Sequence, residues 1–167
     1  MADRSENPGC LSVILKWFGF QPKTAEEKYP YRLRDQFLSP AEMAFYRILL
    51  EMTGEKAHVL SKIRLADIFY VSQPRENLAY RNKIDRKHVD FLICDPNTMQ
   101  PRFAIELDDR THQREDRKAR DAFVDRVFEA SGLPLVHVKV QKAYDKTELA
   151  KEFRRALKSD RGKQSRE

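Results

Sequence analysis

Cysteine is scarce in this chain: two residues, Cys10 and Cys94, occur in 167, and neither belongs to a CxxC pair or a Cys/His cluster. That excludes a disulfide framework and gives no support to a structural zinc site, and it fits the reducing cytoplasm. Long apolar runs are lacking too. The one candidate, CLSVILKWFGF from Cys10 to Phe20, is too short to span a bilayer and is interrupted by Lys16, so no transmembrane segment is expected. It reads as a packing segment. Contact of residues 10–20 with a membrane surface is the competing reading, because Trp17, Phe18 and Phe20 beside Lys16 suit an interface. There is no internal repeat. Nor is there a recognition helix or base-reading motif, so sequence-specific binding is not argued.

What is present is a globular but hydrophilic composition, 41% hydrophobic and 35% charged, long enough for one domain with a proper core. Lys and Arg outnumber Asp and Glu by 32 to 26. Such an excess suits a polyanionic partner, since basic surfaces attract nucleic acid through their field and through counterion release. Polar, proline-bearing stretches set the boundaries: residues 1–37 as an N-terminal extension or linker, 38–158 as the domain, and 159–167 as a basic disordered tail.

Within the domain, SPAEMAFYRILLEMTG predicts a helix with Ser39 as N-cap, Pro40 in the first position and Gly54 as the stop. A strand-like alternation follows Ala57, then an ambiguous stretch to Asn82. HVDFLICD and RFAIELD predict two strands joined by the turn PNTMQP. The segment from Gln113 to Ser131 predicts an amphipathic helix closed by Gly132 and Pro134. LPLVHVKV predicts another strand, and TELAKEFRRALK a last helix capped at Thr147. This order implies an α/β fold with a mixed central sheet flanked by helices.

The chemistry concentrates on the two paired strands. Period-two alternation puts Ala104, Glu106 and Asp108 on one face of their strand, and the hairpin brings Asp90 to the same end. Converging carboxylates call for a cation. Oxygen ligands suit Mg²⁺ or Mn²⁺, and Mg²⁺ takes one or two carboxylates, keeps waters and binds phosphate oxygens. That is the chemistry of phosphodiester hydrolysis.

VDFLICD, a turn and FAIELDD together resemble the core of the PD-(D/E)xK, restriction-endonuclease-like superfamily, whose αβββαβ core is similar to the element order above. The run LSPAE, KIRLAD, HVDFLICD, IELDDRTHQ, RDAF and SGLPLVHV resembles a bacterial family of uncharacterised domains placed in that superfamily. The resemblance covers roughly residues 38–140. It implies that Asp90 and Glu106 are the two motif acids and that the backbone carbonyl of Leu107 is a further metal ligand. Asp108 stands where the superfamily pattern has Lys. His112, four residues on, is the expected proton-transfer group, with its near-neutral pKa. Arg110, Arg114 and Arg117 flank it.

Each of these residues also has a plainer reading. Glu42 matches a helix-borne site acid, yet Ser39-Pro-Ala-Glu42 is equally a capping box. Asp90 could pair with Lys83, Arg86 or Lys87. Asp95 and Asp109 read as solvated turn residues, and His58, His88 and His137 as structural or surface positions. The basic run RNKIDRK, containing Lys83, Arg86 and Lys87, and the ten basic against five acidic residues from Lys139 to Glu167 form the expected phosphate-tracking surface.

The leading expectation is therefore a Mg²⁺- or Mn²⁺-dependent nuclease acting on DNA, with Asp90 and Glu106 holding the metal, Asp108 adding a ligand or positioning water, and His112 moving a proton. The alternative is a catalytically silent nuclease-like fold that binds nucleic acid or protein, favoured by the missing Lys. Assembly as a homo-oligomer is left open.

Overall fold

The structure is a computed structural model that describes residues 29–73, 75–108 and 115–164, with side chains in the last stretch described from 122 to 158. The chain divides into two compact units, Met1–Asp35 and Gln36–Glu167. In the first unit the described residues are exposed, and Tyr29 stacks on Tyr31 with ring centroids 6.0 Å apart.

The second unit is α/β. In chain order it contains α1 (Pro40–Thr53), a 3₁₀ turn (Gly54–Lys56), β1 (His58–Arg64), α2 (Leu65–Ile68), α3 (Leu78–Asp85), β2 (His88–Cys94), β3 (Pro101–Asp108), α4 (Glu115–Ser131), β4 (Leu135–Lys139) and α5 (Lys146–Gln164). The strands form one sheet in the order β1-β2-β3-β4. β1 to β3 pair antiparallel, and β4, reached through α4, pairs parallel with β3. Crossing back to a parallel neighbour takes a connection long enough to hold a helix, and α4 fills it.

Local chemistry explains the start of α1. The Glu42 N–H donates to Ser39 Oγ at 3.3 Å, and the Ser39 N–H donates to Glu42 Oε2 at 2.7 Å, which completes the expected capping box. α5 differs from expectation at its start: Asp145, not Thr147, accepts the N–H groups of Thr147 and Glu148, at 2.7 and 3.3 Å. A carboxylate two residues earlier reaches these orphan donors and also opposes the positive helix end. α5 also continues to Gln164, into the stretch 159–167 expected to be a disordered tail. The ambiguous stretch before Asn82 holds the short helices α2 and α3, whose apolar residues are too few for a visible period.

Both sheet faces are covered. On one, Phe45 and Leu49 of α1 and Leu149 and Phe153 of α5 pack on Phe91, Ile93, Phe103 and Ile105. On the other, Leu65, Ile84 and the α4 residues Val124 and Phe128 pack on Leu92, Cys94 and Ala104. Each fully buried Phe or Leu contributes about 2–3 kcal/mol relative to exposure. Two covered faces make β2 nearly continuous in apolar residues, so Asp90 is the exception in HVDFLIC.

The turn after α1 requires unusual backbone. Gly54 has φ 52° and ψ −130°, where a side chain is disfavoured, yet a Cβ there would meet nothing within 4 Å. Gly54→Ala therefore isolates backbone strain. It is expected to cost about 1–2 kcal/mol in urea unfolding without changing the fold; an unchanged midpoint would show that the turn relaxes freely.

Candidate functional site

The polar end of the sheet is built from β1, β2, β3 and the first turn of α1. β2 and β3 are paired as far as Phe91–Ile105, and Asp90 and Glu106 are the next residues on the two strands. Asp90 Oδ2 accepts the Leu107 N–H at 2.8 Å, and its carboxyl lies within hydrogen-bonding reach of the Glu106 side chain.

The cation that the structure brings to Asp90 is Lys62. Its Nζ lies 3.8 Å from Asp90 Oδ1 and hydrogen-bonds to Glu42 Oε1. Neither Lys83, Arg86 nor Lys87 pairs with Asp90 among the described ion pairs. Lys62 sits on the edge strand β1 with φ 57°, in the left-handed region. The β1–β2 pairs run from His58–Cys94 to Ser61–Phe91 and resume at Ile63–Val89, so Lys62 interrupts the ladder opposite Asp90. A left-handed lysine costs roughly 1–2 kcal/mol and is kept only where its surroundings enforce it. Here the enforcing partners are two acids whose side chains are 12% and 13% exposed, Glu42 and Asp90.

Glu42 completes the capping box of α1 with one oxygen and holds Lys62 with the other. Burial opposes its ionisation, but the bonds from Lys62 and Ser39 outweigh that and lower its pKa. For Asp90 the balance is reversed. Burial and the nearby Glu42 charge raise its pKa, against the lowering from the Leu107 N–H, Lys62 and Glu106.

At the outer edge of β3, Asp108 meets His137 of β4, which sequence reading left as a structural or surface position. His137 Nδ1 lies 3.3 Å from Asp108 Oδ1, and Nε2 lies 2.9 Å from Asp125 Oδ1 on α4. Two carboxylate acceptors require both ring nitrogens to donate, which selects the imidazolium. Burial lowers the His137 pKa, but the bonds to Asp125 and Asp108 outweigh it and raise the pKa above its ordinary value. His137 pairs in register with Glu106, so this cluster borders the first.

Among the other expected residues, Lys83 and Lys87 lie over aromatic rings, with Nζ 5.4 Å from the Tyr80 centroid and 5.1 Å from the Phe123 centroid respectively. Arg86 is exposed beyond the end of α3. Arg110, His112, Arg114 and Asp109 lie outside the described residues, as does the side chain of Arg117 in α4. Asp95 is not merely solvated: it accepts from the Asn97 and Thr98 N–H groups and from Arg102, and the Arg102 bond leads in holding its pKa far below the usual carboxylate range. Lys62, His137 and Asp125 are the residues the sequence reading missed. No motif marks Lys62, although KIRLAD belonged to the stretch carrying the resemblance.

Among the described residues no group of three or more His, Cys, Asp and Glu side chains is arranged to hold a metal ion. The ammonium of Lys62 lies beside Asp90, and Asp90 Oδ2 accepts a backbone N–H, so within the protein these groups engage one another. No described helix is long and apolar enough to cross a membrane.

A family profile described as Protein of unknown function (DUF2726) matches residues 34–157, the greater part of the chain. No curated protein and no solved structure matches it.

Removing Lys62 leaves two partly buried carboxylates uncompensated. Lys62→Met is expected to destabilise the fold by about 2 kcal/mol in urea, below the figure for a fully buried pair because the lysine side chain is 25% exposed. An unchanged midpoint would count against the lysine as the neutralising group.

For His137, a folded-state pKa above the unfolded value near 6.5 means that its stabilisation is complete below that pH. It is lost as pH rises through the folded-state pKa. NMR titration is expected to place His137 above 6.5, and Asp125→Asn to bring it down. A titration at or below the ordinary value would refute the imidazolium assignment.

Proposed function

The chain belongs to the family described as Protein of unknown function (DUF2726), and from that premise and the geometry of its polar end we propose that it is a nuclease-like domain that binds nucleic acid without cleaving it. The mixed four-stranded sheet flanked by helices is compatible with the restriction-endonuclease-like architecture suggested by the resemblance. The observation that carries the silent reading is Lys62. The protein supplies its own cation to Glu42 and Asp90, so the acids are answered without a metal. What remains for function in this reading is the basic excess of the chain and its attraction for phosphate.

One observation favours a second reading, a Mg²⁺- or Mn²⁺-dependent nuclease. Asp90 and Glu106 share one end of the sheet, and Lys62 approaches from β1 with the amine that the chain lacks two positions after Glu106. In that reading Asp90 and Glu106 would hold the ion, water activation would be the chemistry gained there, and Lys62 rather than Asp108 would supply the positive charge.

A direct assay separates them. The full chain is mixed with labelled duplex DNA, single-stranded DNA and RNA, in Mg²⁺, Mn²⁺ or EDTA. The silent reading expects salt-sensitive binding in all three conditions and intact substrate throughout. Cleavage that requires Mg²⁺ or Mn²⁺, and that disappears in both Asp90→Asn and Lys62→Met, would establish the second reading and overturn the first.

A further inference from the structure

We propose that a basic cavity at the opposite, hairpin-turn end of the sheet is the phosphate-binding site of this domain. This deepens the reading of a nucleic-acid-binding module and rests on it. The cavity has a volume of about 810 Å³ and lies between the 3₁₀ turn after α1, the β2–β3 turn, the loop after α4 and the outer turns of α5. Its charged lining is Lys56, Arg102, Arg154 and Lys158 against a single carboxylate, Asp95. Asp95 is already bonded to Arg102 and to the turn N–H groups of Asn97 and Thr98. An excess of three positive charges is therefore left facing one cavity.

No ion pair among the described residues engages Lys56, Arg154 or Lys158. Arg154 and Lys158 stand four residues apart on α5, which puts them on one helix face where their like charges repel. Lys56 is brought to the same place by the turn that Gly54 makes possible. Three cations drawn from two separate elements, none of them in an ion pair among the described residues, are arranged as an anion would need them. A guanidinium can hold two phosphate oxygens at once, and ammonium groups add point charge.

The lining also includes the apolar side chains of Ile93, Phe103, Leu133 and Leu157. They offer a surface to the sugar or base attached to that phosphate. Location decides against the carboxylate end as the point of contact. Asp90 and Cys94 are four residues apart on β2, about 13 Å at strand rise, so a phosphate held at the cavity lies well clear of Glu42, Asp90 and Glu106.

The ligand chemistry is phosphate oxygen carrying an organic group, whether from a strand of nucleic acid or from a free nucleotide. The test titrates the full chain into fluorescein-labelled twelve-residue DNA and RNA single strands, a labelled nucleoside triphosphate, and a labelled polyglutamate peptide of matched charge. Variants are Arg154→Glu/Lys158→Glu and the neutral Arg154→Gln/Lys158→Gln. The control Arg47→Glu/Arg155→Glu makes the same charge change at exposed positions outside the cavity.

The cavity assignment expects the first variant to weaken strand binding at least tenfold and to lower the slope of log affinity against log salt by about two. The neutral variant falls between it and the parent, and the control stays within about threefold. Strand binding that weakens equally in the control overturns the cavity but leaves nucleic-acid binding intact. Nucleotide binding lost in the cavity variants, without strand binding, keeps the cavity and overturns the nucleic-acid reading. Preference for polyglutamate, or no binding of any probe, overturns the phosphate assignment.

Discussion

The Lys62 ammonium lodged between Glu42 and Asp90 is the constraint on which the polar end of this domain depends. An acid from the first turn of α1 and an acid from a central strand are both largely withdrawn from water, and a bare charge in that position is costly. The remedy comes from the edge strand, at the price of one residue in a left-handed conformation and a break in the β1–β2 ladder. A local rule is broken where three elements meet, the usual signature of a site and not of simple packing. Burial and Glu42 keep the Asp90 pKa raised despite the Leu107 N–H and Lys62.

The sheet carries opposite electrostatics at its two ends. At one, Glu42, Asp90, Glu106 and Asp108 gather around Lys62 and His137. At the other, Lys56, Arg102, Arg154 and Lys158 surround a single engaged carboxylate. A phosphate chain is drawn to the second end and repelled by the first unless cations cover the acids. In the proposed reading the two ends divide the functional question, recognition at the hairpin turn and any chemistry at the carboxylates.

Much of the architecture was legible from local chemistry. The capping box at Ser39, the stop at Gly54, the apolar paired strands and their turn, and the helix closing near Gly132 all depend on residues within a few positions of each other. Strand period and turn length also set Asp90 and Glu106 at one end of the two paired strands in the sequence reading. The short helices α2 and α3 were not legible because four and eight residues show too little period. Asp145 was passed over for Thr147 because either side chain can cap, and only the backbone path selects between them.

The site residues divide along the same line. Sequence alone determined which acids lie on the paired strands and that Glu42 could serve as cap or as site acid, because alternation and capping are short-range and hold whatever the rest of the chain does. Only the tertiary structure decided that Lys62 answers Glu42 and Asp90, that His137 lies between Asp108 and Asp125, and that Lys56, Arg154 and Lys158 share one cavity. These partners come from different strands and helices, brought together by burial of the two apolar sheet faces. Electrostatic partnership acts through space, and in this domain its key contacts are far apart along the chain.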